Sequence, residues 1–218
     1  MQKPTLLFRV VLCLAFVAVL GGPAVGGERF GVGLKAGTLG IGVDLTGRIN
    51  NWVSVRGTLN QIDINKSYSA SDIDYDGKFK LGAYGVLADF HPFRERFRLT
   101  GGFLDNRNAF RLHARPTRDV TIGGMQYAPS QVGVLRGDVD FKSEVAYAGI
   151  GYGEAAKGPR RIHFVFDLGA MFQGKPDVGL SSSTGVIAAS DLRKEESKVK
   201  DKAPNFWPVL ALGASFAF

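Results

Sequence analysis

From residue 29 onward, apolar side chains recur at every second position, the period of a β-strand. In "LGIGVDLTGRI", Leu39, Ile41, Val43, Leu45 and Ile49 face one way, and Gly40, Gly42, Asp44, Thr46 and Arg48 the other. Asn50 and Asn51 tolerate positive φ and end that strand in a two-residue turn. The next strand starts at Trp52 and alternates Val53, Val55 and Leu59 against Ser54, Arg56, Thr58 and Asn60. Ahead of both, "RFGVGLKAG" sets Phe30, Val32, Leu34 and Ala36 on one face. Its phase differs from that of the following strand, which predicts a break near Gly37-Thr38, with one long bulged strand as the alternative.

The pattern continues over residues 78–91, where the apolar set moves from Phe79 and Leu81 to Tyr84, Val86, Ala88 and Phe90. That phase change predicts a bulge near Gly82. Phe97, Leu99 and Phe103 share a face, and the strand continues beyond Asn106 with Phe110, Leu112 and Ala114 opposite Arg111, His113 and Arg115. Val139, Phe141 and Val145 then oppose Asp138, Asp140, Lys142 and Glu144, and Ile162 to Phe172 alternate against His163 and Asp167. The chain closes on "WPVLALGASFAF". Eight strands result. The turns at 50–51, 92–96 and 154–160 are short, while 65–76, 116–137 and 174–205 read as long polar loops. In the last, "SDLRKEESKVKDK" is either a solvated helix with Ser190 as N-cap or disordered.

Composition changes the setting. Of the 218 residues 27 are basic and 20 acidic, a net charge of +7, but Lys3 and Arg9 are the only charges before Glu28. Both precede "VVLCLAFVAVL", which is followed by Gly-Gly-Pro and small residues at Ala24 and Gly26. This is the pattern of a secretory signal peptide over residues 1–26, leaving 27–218 as one all-β unit. The apolar run is too short for a spanning helix, which needs about 20 residues. Cys13 lies inside that leader, so the exported chain carries no disulfide staple. The remaining basic surplus has no basic helix or base-stacking aromatic motif beside it. That speaks against nucleic acid and for anionic lipid head groups as the counter-surface.

Alternation alone fits a soluble β-sandwich, which buries its apolar face. Three features favour the inverse, with apolar side chains in lipid and polar ones in a barrel lumen. Several strands run ten residues or more, near the roughly 9–11 that a tilted strand needs to cross a bilayer. Trp52, Phe93, Phe97, Tyr152, Phe216 and Phe218 gather at the short-turn end, as an aromatic girdle would. Short turns on one side oppose long loops on the other. A lipocalin-like soluble barrel is the weaker reading, because Arg48, Arg56, Asp89, Arg98 and Asp167 would line its ligand cavity.

The stretches "VGLKAGTLGIGVDL", "LADFHPF", "FRLTGGF", "FDLGAMFQGKPDVGLSSS" and "LGASFAF" resemble the small, about eight-stranded outer-membrane β-barrel domain proteins of Gram-negative bacteria. The resemblance implies an antiparallel up-and-down transmembrane β-barrel in the outer membrane, with short periplasmic turns and long extracellular loops. It also implies contact with outer-membrane lipid or lipopolysaccharide. The terminal Phe218 is similar to the signal read by the barrel-assembly machinery.

Eight strands enclose an interior that side chains can fill. The charges on the polar faces are Asp44, Arg48, Arg56, Lys80, Asp89, Arg98, Arg111, Asp138, Asp140, Lys142, Glu144, His163 and Asp167. They are of both signs and are expected to pair into an ionic plug. A narrow pore for small solutes or ions is the alternative, and a lipid-modifying enzyme a weaker third. Of the three histidines, His91, His113 and His163, none stands at a recognisable motif spacing from a serine. "GVGLKAG" and "GIGYGEAAKG" lack a phosphate-cradling ending. Asp72, Asp74 and Asp76 read as a solvated loop. No catalytic residue, cofactor or metal is expected, and the residues do not name a partner for the outer loops.

Overall fold

A computed structural model describes residues 29–70, 73–93, 96–153 and 162–217. The proposed leader, Asp72, the 154–161 turn and Phe218 lie outside these residues. Eight strands close a barrel: β1 (Phe30–Gly37), β2 (Gly40–Arg48), β3 (Val53–Ala70), β4 (Ile73–Phe90), β5 (Phe97–Asn106), β10 (Glu144–Tyr152), β11 (Ile162–Phe172) and β13 (Trp207–Ala217). Each pairs antiparallel with the next, and β13 returns to β1 with Val32 opposite Phe216. Closure leaves the barrel wall without an open edge. Gly37 pairs with Gly40, so residues 29–49 form a hairpin of two strands and not one bulged strand.

The first observation about β3 and β4 is their length. Each has 18 residues, nearly twice what a tilted strand needs to cross a bilayer. The lower half of the hairpin belongs to the barrel. The upper half stands above it and adds β6 (Ala109–Pro116), β9 (Leu135–Asp140) and β12 (Asp177–Ser182) to form an outer sheet, the platform. A small hairpin of β7 (Val120–Ile122) and β8 (Met125–Tyr127), a turn of helix α1 (Pro129–Val132) and helix α2 (Ala189–Lys202) complete it. The three segments read as long loops are therefore largely regular structure. The sequence conceals β12 because its partner β9 lies far earlier in the chain, whereas β6 and most of β9 show in the alternation as continuations of barrel strands.

No bulge occurs at Gly82. β4 keeps one unbroken register with β3 from Ile73 opposite Ala70 to Phe90 opposite Val53. What changes at that level is the environment. Below it, the inward row of β3 and β4 is polar at Ser54, Arg56, Thr58 and Asp89, with Ala83 and Leu87 as apolar exceptions, and the outward row is apolar (Val55, Leu59, Val86, Phe90). Above it, the same inward row continues as Ile62, Ile64, Leu81 and Phe79, and the outward row as Asp63, Asn65, Lys80 and Lys78. Side-chain direction is continuous while polarity inverts, which on paper looks like a phase slip. The reversal is what a wall with lipid around its lower half and water around its upper half would require.

The platform has a core of its own. Ile122, Val132 and Ile187 are buried together, with Val120, Tyr127, Leu135 and Leu192 packed on them. Leu192 brings α2 into that cluster. Ala188 is the helix N-cap and Ser190 lies inside the first turn, so the predicted serine cap is not used. Glu196 accepts a hydrogen bond from the Leu180 N–H at 2.7 Å, covering part of the exposed edge of β12.

Candidate functional site

The interior of the barrel is built in two storeys. The lower one is ionic. Arg56 reaches across the lumen and donates from Nε and Nη2 to the two carboxylate oxygens of Asp89, both at 3.0 Å. It also donates from Nη1 to Asp44 at 3.1 Å and to Asp167 at 3.0 Å. Arg98 bonds Asp167 at 2.7 Å, Lys35 pairs with Asp44 at 2.7 Å, and Thr100 donates to Asp89 at 2.6 Å. Three cations thus face three carboxylates in a cluster shielded from water, and the charges cancel. Such burial is tolerated only when every charge is paired and hydrogen-bonded. Arg56, the hub, is only 3% exposed.

Local backbone explains how the long side chains reach. Arg98, Gly151 and Asp167 lie in one row across β5, β10 and β11. A Cβ on Gly151 would sit 2.6 Å from the Arg98 Nε. Glycine here leaves the path by which Arg98 meets Asp167 over the intervening strand.

Toward the extracellular end the lumen becomes apolar. Leu39, Ala83, Leu87, Leu104, Val145, Tyr147, Met171 and Val209 form one buried cluster, with Trp207 packed against it. Phe110 of the platform joins Trp207 at 6.0 Å between ring centroids and links to Phe79 and Phe141, both at 5.7 Å. The inward face of the platform and the barrel mouth are thereby tied by aromatic contacts. Between the two storeys a cavity of about 20 Å³ remains, room for a water molecule.

The expected lumen charges divide accordingly. Asp44, Arg56, Asp89, Arg98 and Asp167 meet in the ionic cluster. His163 is buried on the same inner face at the periplasmic end, and Arg48 stays at that rim, where it bonds Asn51 Oδ1 at 2.7 Å. Lys80, Arg111, Asp138, Asp140, Lys142 and Glu144 are not in the lumen. Lys80, Arg111, Asp138 and Asp140 line the water-facing side of the platform, while Lys142 and Glu144 are exposed near the barrel rim. The error has one cause: beyond the membrane boundary the polar row is the outer row. Lys35 was missed, although it alternates with Leu34 and Ala36 and so had to point inward. Tyr147 and Met171 were missed because the apolar storey breaks the rule of polar lumen positions.

The outer face of the barrel is a belt of large exposed apolar groups, among them Leu34, Ile41, Phe103, Phe164, Leu168 and Leu212. At its short-turn end stand Trp52, Phe93, Phe97, Tyr152 and Phe216, with Phe93 and Phe97 in contact at 6.0 Å and Trp52 stacked on Phe90. Charged groups inside and aliphatic and aromatic groups outside are the reverse of a water-soluble protein. No helix among the described residues is long and apolar enough to cross a membrane.

Among solved structures the chain is similar to CarO2 of Acinetobacter baumannii, at 21% identity and a TM-score of 0.64, over 89% of this chain and all of that one. It is similar also to CarO of the same organism, at 20% identity and a TM-score of 0.61, over 86% and 97%. The chain has the fold of a small outer-membrane β-barrel. The apolar belt is what that fold presents to lipid. No protein-family model matches this barrel, and no curated protein does.

Proposed function

We propose that this outer-membrane barrel is a sealed anchor that holds an ordered platform at the cell surface, and that it neither conducts solutes nor catalyses a reaction. The observation that carries this reading is the interior: a charge-balanced cluster centred on Arg56, capped by an apolar cluster, with a cavity of about 20 Å³ between them. A solute path would have to open both storeys. Opening the lower one would expose charges that have no other partners among the described residues. The histidines support the non-enzymatic reading. His91 contacts Ser54 at 3.1 Å, but both are almost fully buried, and His113 stands on the water-facing side of the platform.

Planar-bilayer recording tests the proposal. The refolded barrel is expected to give no discrete openings across a wide range of voltage, and steady openings would replace the anchor by a pore. Lipid A mass spectra should be unchanged on deletion of the gene. A change on deletion that a His113 substitution reproduces would establish the enzyme instead.

A further inference from the structure

Above the apolar storey, where the wall passes into the platform, three amides form a chain on the inner face. β5 and β6 keep one register against β4, with Ala83 opposite Asn106 and Lys80 opposite Ala109, so Asn106 and Asn108 follow one another on the inward row. The Gly82 N–H donates to Asn108 Oδ1 at 3.0 Å, the Asn108 N–H to Asn106 Oδ1 at 3.0 Å, and Asn106 Nδ2 to Gln173 Oε1 at 3.2 Å. A backbone N–H can only donate, so these bonds fix which end of each amide is oxygen. Every side-chain oxygen in the chain is thereby turned to a donor. What is left over is donors alone. Asn108 Nδ2 and Gln173 Nε2, on residues 3% and 1% exposed, bond nothing among the described residues.

Trp207 brings a third donor. It stands opposite Met171, the inward residue just before Gln173, and its ring lies against Phe110, the inward residue just above Asn108. Its Nε1 is buried there and also bonds nothing among the described residues. Phe141, in edge contact with Phe110, completes the aromatic cover. Buried N–H groups are almost always satisfied. A water molecule would accept from two of these donors, but it would bring two O–H groups of its own into a ring whose amide oxygens already accept. A monatomic anion only accepts. A cation is close at hand: a Cβ on Gly174, next to Gln173, would sit 4.0 Å from Lys142 Nζ, and Lys142 has no ion pair among the described residues. We propose that the barrel mouth binds one halide-sized anion, held by Asn108 Nδ2, Gln173 Nε2 and Trp207 Nε1, with Lys142 balancing its charge. The site lies above the apolar storey, so it stands whether or not the lumen conducts.

Two measurements on the full-length barrel test this. Crystals transferred into sodium bromide should show one anomalous bromine peak in the mouth, in contact with all three nitrogens. In detergent, the folded gel band should survive to higher temperature in sodium chloride than in sodium gluconate of equal ionic strength, because an ion that binds only the folded state stabilises it. Gln173→Glu sets a carboxylate in the ring and should abolish both the peak and the chloride dependence. Trp207→Phe keeps the ring and removes one N–H, so the chloride concentration needed for the same protection should rise about tenfold. That variant carries the test if Gln173→Glu does not fold, and an unchanged chloride requirement in it overturns the proposal. A water molecule or an empty ring in the bromide crystals does the same. A peak that persists in Gln173→Glu assigns the ion to other groups and is equally fatal. A peak in the parent without any chloride dependence in detergent is binding at crystal concentration only, and also overturns the site.

Discussion

Arg56 concentrates the energetics of the barrel in one guanidinium. With Arg56→Met, Asp44, Asp89 and Asp167 face only Lys35 and Arg98, and one buried carboxylate loses its counter-charge. Removing one member of a buried ion network costs about 3–5 kcal/mol, so the variant should lose its folded gel band at clearly lower temperature or urea concentration than the parent. Unchanged stability would show that water, and not Arg56, satisfies those carboxylates. Gly151→Ala should do the same more mildly, since its methyl displaces Arg98 while leaving every charge in place. Gly123 is a different case. Its φ is +63°, and an added Cβ would lie 2.4 Å from the Asp191 Cα, so Gly123→Ala should loosen α2 and leave the barrel stable. The lumen residues were legible because lipid outside forces polarity inside, and parity then assigns Arg56, Asp89, Arg98 and Asp167. Lys35 obeyed the same rule. The apolar storey was not legible, since Leu87 or Met171 on an inward row breaks the expectation that barrel interiors are polar.

At the scale of elements, α2 shows how the platform is fastened. Tyr127 donates to Asp191 at 2.7 Å, and Lys194 lies 3.2 Å from the same carboxylate. The Tyr127 hydrogen bond, and then Lys194, hold the Asp191 carboxyl below its ordinary 3.8, while the same bond pushes the Tyr127 phenol above its ordinary 10.0. A depressed carboxyl stabilises the docked helix fully above the ordinary value and ceases to as pH falls below it. A raised phenol stabilises it below the ordinary value and ceases to as pH climbs past it. Amide protection of α2, corrected for intrinsic exchange, should therefore be flat between those limits and fall at both ends. Asp191→Asn should remove the acid limb, and an acid limb that survives would assign it to other carboxylates. The sequence leaves "SDLRKEESKVKDK" open between helix and disorder; the structure shows the helix, and its docking had no signal in the sequence. The partner surface is assembled from β7, β8, β12 and α1, segments too short to announce themselves by periodicity, so Leu192 looked like an isolated apolar residue.

Taken as a molecule, the chain is a closed barrel with a folded superstructure. A closed barrel that keeps its hydrogen-bonded wall in detergent should migrate differently before and after boiling, and one band at both conditions would contradict closure. The eight strands, their order and their lipid faces follow from alternation and from the asymmetry of turn lengths. The platform escaped for a physical reason: strands in water and strands in lipid share the same period, and only the sign of the pattern differs. A reading that assigns the polar row to the lumen throughout places Lys80, Arg111 and Asp140 on the wrong side as soon as the wall leaves the membrane.

That reversal along an unbroken hairpin also fixes a waterline. Sliding the barrel outward by two inward–outward pairs would lift Leu59 and Val86 into water, and sliding it inward by as much would draw Asp63 and Lys80 into hydrocarbon. Either displacement is opposed, so the hairpin acts as a keel that sets its own draught. The platform rides at a height determined within a single strand pair, whatever the thickness of the sugar layer around it.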